Sequence, residues 1–299
     1  MEDLDLWKKA GKIAGLARDF GKNLVVEGAN YFDVSNKIEE FINKKSAKIG
    51  FPVQLSTNSM AAHYTAFPDD QSVFIRGDLV KLDLGAQIDG YIGDTALTLE
   101  IGTKNHNDLI KASDHALQSA IKLAKPGVKI CEIGEAVEAV ITSFGFKPIK
   151  NLSGHKVDRY VLHSSLSIPN YNNKDKTELE EDIVIAIEPF ASTGAGAVKE
   201  GKQSSNYRFF NSKPIRNQSS RDVLKFIQEE FNTLPFAKRH LMKKFNNTTA
   251  TLALYNLEKE GIIYQYPQLP EKDSNSFVSQ HEHTILVKDK PIILTKAED

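Results

Sequence analysis

The stretch "VKLDLGAQIDGYIGDTALTLEIG", residues 80–102, decides the fold because it has the pattern of two strands joined by a tight turn. The Asp-Gly pair at 89–90 favours a two-residue turn, since its backbone accepts positive φ angles. With this pair as the loop, Asp94 lies opposite Gly85. Asp83 shares the face of Gly85, so Asp83 and Asp94 become diagonal neighbours across the two strands, about 7–8 Å apart at the backbone.

Two interpretations of this aspartate pair are open on the hairpin alone. Two unpaired carboxylates at such a distance repel each other unless a cation lies between them, which favours a shared cation site. The polar residues of the first strand also alternate with apolar ones, as in an ordinary half-exposed strand, and that pattern requires no site. The rest of the chain has to decide between the two.

Composition places the chain among ordinary soluble proteins. Its 38 basic and 39 acidic residues nearly balance, which gives no indication of a polyanionic partner. Cys131 is the single cysteine, so an intramolecular disulfide is excluded and a reducing cytosol is compatible. No apolar run has the length of a membrane span, and the first residues do not resemble a signal peptide. We expect a cytoplasmic protein with no membrane partner.

A weak internal repeat indicates two related halves. "GANYFDVSNKIEEFI" begins at Gly28, and "GVKICEIGEAVEAVI" begins 99 residues later at Gly127. Each has the pattern of a loop followed by an amphipathic helix, each follows another helical stretch, and each precedes strand-like sequence. The repeat predicts a pseudo-symmetric α/β (α+β) fold with a site between its halves.

A segment of different character separates the last two predicted strands, at 180–190 and 278–289. Polar sequence rich in Gly and Ser is followed by three helix-like segments and a short strand-like one. This order is typical of a winged-helix module. We therefore predict an insertion at 195–271, between segments 1–194 and 272–299 of the main domain.

The basic residues of this insertion predict no specific DNA binding. They concentrate on the second predicted helix, as Lys238, Arg239, Lys243 and Lys244. At helical spacing they form a small patch, whereas a helix that recognises DNA needs a longer basic surface. We expect the insertion to shape a cleft and to pack on the main domain.

Two glutamates are hard to explain as surface residues. Glu188 follows a strand, Ile183 to Ile187, that is apolar at every position and is therefore expected to be buried on both faces. A carboxylate there must be paired, protonated or bound to a metal. Glu282 enters another apolar strand, where a salt bridge at the strand end is the alternative.

Three histidines add a second donor type. His155 follows Gly154, and His63 and His163 are 100 residues apart, close to the offset of the repeat. Each alone is more often a structural residue than a ligand. Two aspartates, two glutamates and a histidine, all near strand ends, form an oxygen-rich, nitrogen-poor set that suits divalent Mn, Fe, Co or Zn.

Five motifs in order make the sequence resemble a known family. They are "AAHYTAFP", "VKLDLGAQIDGYIGDTALT", "NLSGH", "AIEPFASTGAG" and "HEHTIL". The chain resembles the methionine aminopeptidases, specifically the type 2 group in its short archaeal form, over nearly its whole length. The resemblance implies the pita-bread fold, with two pseudo-symmetric halves and the type 2 helical insertion in the 94 residues between Glu188 and Glu282.

The resemblance also implies a dinuclear metal centre. Its ligands are Asp83, Asp94, His155, Glu188 and Glu282, with Asp94 and Glu282 bridging both ions. Two cations of Co, Mn, Fe or Zn then activate a bridging water as the nucleophile. Under this interpretation, the paired aspartates of the hairpin are two halves of one site.

Further residues take roles by the same resemblance. Glu188 becomes the proton shuttle, and His63 and His163 become donors to the scissile peptide and its developing tetrahedral oxygens. Phe51 and Leu162 are the expected walls of the slot for the methionine side chain. The implied activity is removal of the initiator methionine from nascent chains whose second residue is small, by a monomer that works in proximity to ribosomes.

The sequence departs from the family pattern at two places. His281 stands where the family usually has Phe, and His283 lies just beyond Glu282. Strand alternation that points Glu282 inward points both histidines to the opposite face, which favours packing roles for them. The segment "SSNY", ending at Tyr207, enters the insertion near the expected substrate pocket without a clear role.

Two alternatives remain. A proline-type peptidase has the same ligands but usually carries a large N-terminal domain, for which we expect no room here. A non-catalytic pita-bread protein that binds RNA or protein has usually lost metal ligands, whereas all five are present.

Overall fold

The computed structural model describes residues 3–297, which form seven helices and sixteen strands. The helices are α1 Leu4–Lys22, α2 Tyr31–Lys44, α3 Asn107–Leu123, α4 Ile130–Ser143, α5 Gln218–Glu230, α6 Lys238–Leu241 and α7 Asn247–Lys259. The strands are β1 Lys48–Thr57, β2 Met60–Ala62, β3 Leu79–Ile88, β4 Tyr91–Glu100, β5 Lys147–Pro148, β6 Ser153–Val157, β7 Ser167–Pro169, β8 Val184–Ile187, β9 Phe190–Ser192, β10 Gln203–Phe209, β11 Phe236–Ala237, β12 Ile263–Pro267, β13 Leu269–Pro270, β14 Val278–Gln280, β15 Glu282–Leu286 and β16 Ile292–Ile293.

The hairpin formed by β3 and β4 has the predicted register. Asp89 and Gly90 have φ angles of 54° and 87°, as the tight turn requires. Gly85 pairs with Asp94, and Asp83 lies two positions further along its strand. The two aspartates are therefore diagonal neighbours, as expected.

Two related halves share one eight-stranded sheet, in the order β1-β3-β4-β15-β8-β6-β7, with β16 pairing β15. Helices α1 and α2 pack on the first half and α3 and α4 on the second, each pair over its own apolar core. Helix α2 begins at Tyr31 and α4 at Ile130, which reproduces the 99-residue offset of the repeat.

The halves meet where β4 pairs with β15 at the centre of the sheet. Ala96 of β4 lies opposite Asp83 on one side and opposite Glu282 on the other. On the far side of β15, His155 of β6 lies opposite Ala186 of β8. Five adjacent strands therefore bring residues that are up to 199 positions apart in the sequence to one region of the sheet.

The segment between β9 and β14 contains a small unit with its own apolar core. Strands β11, β10 and β12 form a three-stranded sheet, and α5 and α7 pack against it. Strand β13 belongs to the main body, since it pairs with β2. The unit built by these elements spans 203–267, within the predicted 195–271.

The second predicted helix of the insertion was largely wrong. Only the four residues of α6 are helical there, after the short strand β11. Arg239, predicted to lie on a basic surface patch, is buried and forms an ion pair with Glu39 of α2. The patch is therefore smaller than predicted, because a partner 200 positions away in the sequence draws this arginine into the interior.

None of the helices within residues 3–297 has both the length and the apolar composition needed to cross a membrane.

Candidate metal centre and substrate cleft

A cavity of about 290 Å³ opens where the two halves and the insertion meet. All nine residues predicted for the site line it. They are Phe51, His63, Asp83, Asp94, His155, Leu162, His163, Glu188 and Glu282. The topology of the sheet therefore brings the whole predicted set to a single space.

Three carboxylates of this cavity carry buried oxygens without a hydrogen-bond partner. These atoms are Oδ1 of Asp83, Oδ1 of Asp94 and Oε1 of Glu282. A buried polar atom left without a partner costs about 1–3 kcal/mol, and a charged one costs more. Such an arrangement is unfavourable unless a cation satisfies the oxygens.

The pKa values of these acids are raised, which also indicates that their charged forms are destabilised. Burial raises the pKa of Asp83 to about 7. Burial, followed by the charge of Asp83, raises the pKa of Asp94 well above its usual value. Burial and the neighbouring carboxylates act in the same direction on Glu188 and Glu282. Without a cation the cluster favours protonation, whereas a bound cation favours the ionised forms.

His155 supplies the nitrogen donor of the cluster. Its Nε2 lies 3.6 Å from Oδ2 of Asp94 and 3.7 Å from Oε1 of Glu188. Burial lowers the pKa of His155 to about 4, so the ring is neutral at physiological pH, as a metal ligand must be. Donor atoms of Asp94, His155 and Glu282 all lie within 4.8 Å of one another.

Neighbouring polar side chains hold the acids in place. The Thr284 hydroxyl accepts a hydrogen bond from the Asp94 backbone N–H at 2.7 Å. The same hydroxyl donates a hydrogen bond to the Asp94 backbone carbonyl at 2.8 Å. The Gln280 amide donates to Oε2 of Glu282 at 3.3 Å. The Thr284 contacts fix the backbone at Asp94, and the Gln280 contact leaves Oε1 of Glu282 without a partner.

Two further histidines, His63 and His163, line the cavity. His63 Nδ1 lies 3.0 Å from the Pro267 carbonyl, which can only accept, so Nδ1 donates and Nε2 is left for another partner. The ring of His163 contacts the ring of His155 edge to face, with centroids 4.4 Å apart. Burial in the cleft is the main cause that lowers the pKa values of both histidines. For His163, the positive charges of His155, His63 and Arg208 lower the pKa further. Both rings are therefore neutral.

The apolar part of the cavity contains Phe51 and Leu162, which are almost fully buried. The ring of Phe51 lies over Gly85, where a Cβ would come within 2.6 Å of it. A side chain at position 85 would displace the ring. The glycine of the hairpin therefore also shapes the apolar wall beside the acids.

Several lining residues were not predicted from the sequence. They include Gln54, Asn151, Leu152, Phe190, Asn206, Pro235, Tyr266 and Leu269. The flagged segment "SSNY" does reach the cavity, but through Asn206. Tyr207 packs instead in the core of the insertion, because neighbouring strand residues point to opposite faces.

The histidines beside Glu282 contact other parts of the protein, as strand alternation predicts. His281 Nδ1 lies 2.8 Å from the Ser113 hydroxyl of α3. His283 Nδ1 lies 2.8 Å from the Thr295 hydroxyl. Both rings are on the helix side of the sheet, away from the carboxylates.

Comparisons with known proteins agree with this geometry. The model of metallopeptidase family M24 matches residues 5–289. A methionine aminopeptidase from Pyrococcus abyssi is 45% identical over 294 residues, which are 98% of this chain and 99% of that protein. The chain belongs to metallopeptidase family M24.

Solved structures show the same fold. The crystal structure of a methionine aminopeptidase from Thermotoga maritima matches with a TM-score of 0.70 at 24% identity, over 98% of this chain and 96% of that one. The structure of a thermophilic Arx1 matches with a TM-score of 0.87 at 20% identity, over 99% and 92% of the two chains. The predicted pita-bread fold is confirmed.

Proposed function

We propose that this protein is a methionine aminopeptidase that uses two divalent metal ions to remove the initiator methionine from chains whose second residue is small. One observation carries the proposal. Three buried carboxylate oxygens without hydrogen-bond partners, on Asp83, Asp94 and Glu282, converge on one cavity. The names of the similar archaeal proteins give the reaction its substrate.

The donor set fits divalent ions of the first transition row. Four carboxylates and one neutral imidazole supply it, from Asp83, Asp94, His155, Glu188 and Glu282. Hard oxygen donors with one nitrogen accept Mn, Fe, Co or Zn. When bound, two such ions lower the pKa of a water molecule and polarise the scissile carbonyl.

Glu188 is the proposed proton carrier. It follows the buried strand β8, yet its side chain is 16% exposed at the cavity, so it can contact both water and substrate. The carboxylate would accept a proton from the attacking water and deliver it to the leaving amine, which is general acid–base catalysis.

His63 and His163 are proposed to hold the scissile peptide. Because Nδ1 of His63 donates to Pro267, its Nε2 carries a lone pair that can accept the N–H of the peptide. His163 is neutral and lines the cavity, so one ring nitrogen can donate to the carbonyl oxygen as negative charge develops there.

Substrate choice follows from the walls of the cavity. Phe51 and Leu162 offer an apolar surface that suits the methionine side chain. We propose nascent polypeptide N-termini in the cytoplasm as the substrates, acted on by a monomer in proximity to ribosomes. A non-catalytic role is disfavoured because all five ligand residues are present and face the cavity.

The test is release of methionine by protein that has been reconstituted with Co or Mn. Met-Ala-Ser should be hydrolysed, Met-Leu-Ser much more slowly, and Ala-Ala-Ser not at all. An X-Pro dipeptide tests the proline-type alternative. Absence of methionine release by protein that retains metal, or faster cleavage of the X-Pro peptide, would overturn the proposal.

A further inference from the structure

One face of the β10–β12 ribbon leads from the cavity to the protein surface. Arg208 lies directly opposite Tyr264 in the antiparallel pairing of the two strands. Side chains alternate along a strand, so Asn206 and Phe210 share the face of Arg208, and Tyr266 shares the face of Tyr264. The opposite face, with Tyr207 and Ile263, packs into the core of the insertion. These five residues, Asn206, Arg208, Phe210, Tyr264 and Tyr266, are called the rim track below.

The rim track begins inside the cleft and ends in solvent. Asn206 and Tyr266 line the cavity, and the ring of Tyr266 contacts the ring of His63 at 5.4 Å. At the other end, 43% of Tyr264 and 64% of Phe210 are exposed. From Asn206 to Phe210 the strand rises about 13 Å, which is the length of about four extended peptide residues.

The polar atoms of the rim track lack partners. Oδ1 of Asn206, an acceptor on a residue that is 3% exposed, has no hydrogen bond, and neither has the buried Nε of Arg208, a donor. An unpaired acceptor followed by an unpaired donor two residues later matches the alternating N–H and C=O groups of an extended peptide. Such groups are costly unless a ligand satisfies them.

The charge of the rim track is also uncompensated. The Arg208 guanidinium lies over the rings of Phe210, Tyr264 and Tyr266, at 5.5, 5.8 and 5.9 Å from their centroids. Within residues 3–297 no carboxylate forms an ion pair with it. Stacking fixes the guanidinium plane while its donors stay free, which is the arrangement that binds a carboxylate.

From these observations we infer that the rim track binds the substrate chain beyond its second residue, and that Arg208 selects a carboxylate among residues three to five. The inference rests on the proposed aminopeptidase function and extends it to the downstream part of the substrate. The carboxylate can belong to an Asp or Glu side chain or to the C-terminus of a short peptide.

The test compares kcat/KM for matched pentapeptide amides of the form Met-Ala-Ser-Gly-Gly. Glu, Gln or Lys is placed in turn at positions three, four and five. We expect Glu to exceed Gln by about threefold to fivefold at one of these positions, and Lys to fall below Gln, the size expected for one partly exposed ion pair. The preference should fade at high salt. A free-acid and an amidated tripeptide then separate the C-terminal carboxylate from a side chain.

Two variants and one control sharpen the test. Arg208→Gln should reduce the Glu-to-Gln ratio to about one, and Arg208→Glu should invert it in favour of Lys. Arg76→Gln, at an exposed arginine outside the cavity lining, should leave the ratio unchanged.

The possible failures differ. Equal rates of methionine release from all peptides would overturn the inference about Arg208 but not the proposed function. An unchanged Glu-to-Gln ratio in Arg208→Gln would have the same consequence. If no peptide releases methionine, the proposed function fails, and the inference that rests on it fails too.

Discussion

The buried acids around Glu39 and those of the cavity differ in their partners. Glu39 of α2 is 1% exposed and accepts hydrogen bonds from the Val53 backbone N–H, the Arg239 guanidinium and His240 Nε2. Burial alone would raise the pKa of Glu39, but the charges of Arg239 and His240 outweigh it and lower the pKa to about 2. Asp83 in the cavity has no such cations, and burial raises its pKa to about 7.

The difference shows how a structural acid can be told from a functional one. Burial removes both sets of carboxylates from water, which costs free energy. Only for Glu39 do cations of the protein itself offset that cost. The Glu39 cluster joins the insertion to the first half of the fold. The cavity acids come from both halves and leave their charge for a ligand to neutralise.

Asp94→Asn should have the largest effect. The change removes charge from the centre of the acid cluster, so we expect methionine release to be abolished and metal occupancy to fall. The metal-free variant should melt no earlier than the metal-free wild type, because the substitution relieves repulsion among buried carboxylates. Exposed Asp108→Asn is the control and should be normal in all three measurements. Turnover near wild type with two bound ions would show that Asp94 is not a ligand.

His163→Ala should have a smaller effect of a different kind. We expect turnover to fall by about two to three orders of magnitude, the usual size for one hydrogen-bond donor to a developing oxyanion, while metal content stays the same. His115→Ala, on the exposed side of α3, serves as the control. If metal content falls instead, His163 is itself a ligand.

Glu39→Gln should affect stability rather than chemistry. Loss of this carboxylate leaves Arg239 buried without its partner, which should cost about 3–5 kcal/mol of unfolding free energy. Turnover per folded, metal-loaded molecule should change little. The exposed neighbour substitution Glu40→Gln should cost less than about 0.5 kcal/mol.

The stability loss in Glu39→Gln should depend on pH in a defined direction. The pKa of Glu39 is lower in the folded protein than in the unfolded chain, so its stabilisation is fully present above the ordinary pKa of 4.5 and is lost as the pH falls toward 2. Chemical denaturation at several pH values should therefore show the wild type and the variant converging in acid. A constant difference would mean that the carboxylate charge is not what stabilises the cluster.

Charge reversal at Lys243 and Lys244 should have the smallest effect. Both lysines are exposed on the insertion, and neither lines the catalytic cavity. Peptide hydrolysis should be nearly unchanged, and any binding of duplex DNA by the wild type should be weak and non-specific. Nanomolar, sequence-selective DNA binding at physiological salt would contradict this interpretation of the insertion.

The contrast between the two acid clusters also shows what sequence could and could not predict. The juxtaposition of Asp83 and Asp94 was predictable from local sequence. The Asp-Gly turn fixes the register of the two strands, and side chains alternate between the two faces of a strand. Glu188 was predictable because an apolar strand leaves a terminal carboxylate without solvent. The partner of Glu39 was not predictable, since Arg239 lies 200 positions away and no local periodicity marks it.

Residues of the cleft wall were missed for a related reason. Asn206 and Tyr266 come to line the cavity only after β10 and β12 pair and the insertion packs on the first half. Neither strand carries a motif that indicates chemistry. The segment "SSNY" was flagged as a whole, and which of its residues faces the cavity depends on that packing.

We propose that the unsatisfied cavity acids hold two metal ions, so the number of ions bound per chain is the decisive measurement. Metal-stripped protein would be dialysed to equilibrium against Mn or Co at neutral pH, and the ions retained per chain would be measured. We predict two ions per chain in the wild type and fewer in Asp94→Asn. A wild type that retains none, or an equal count in the two proteins, would contradict the claim.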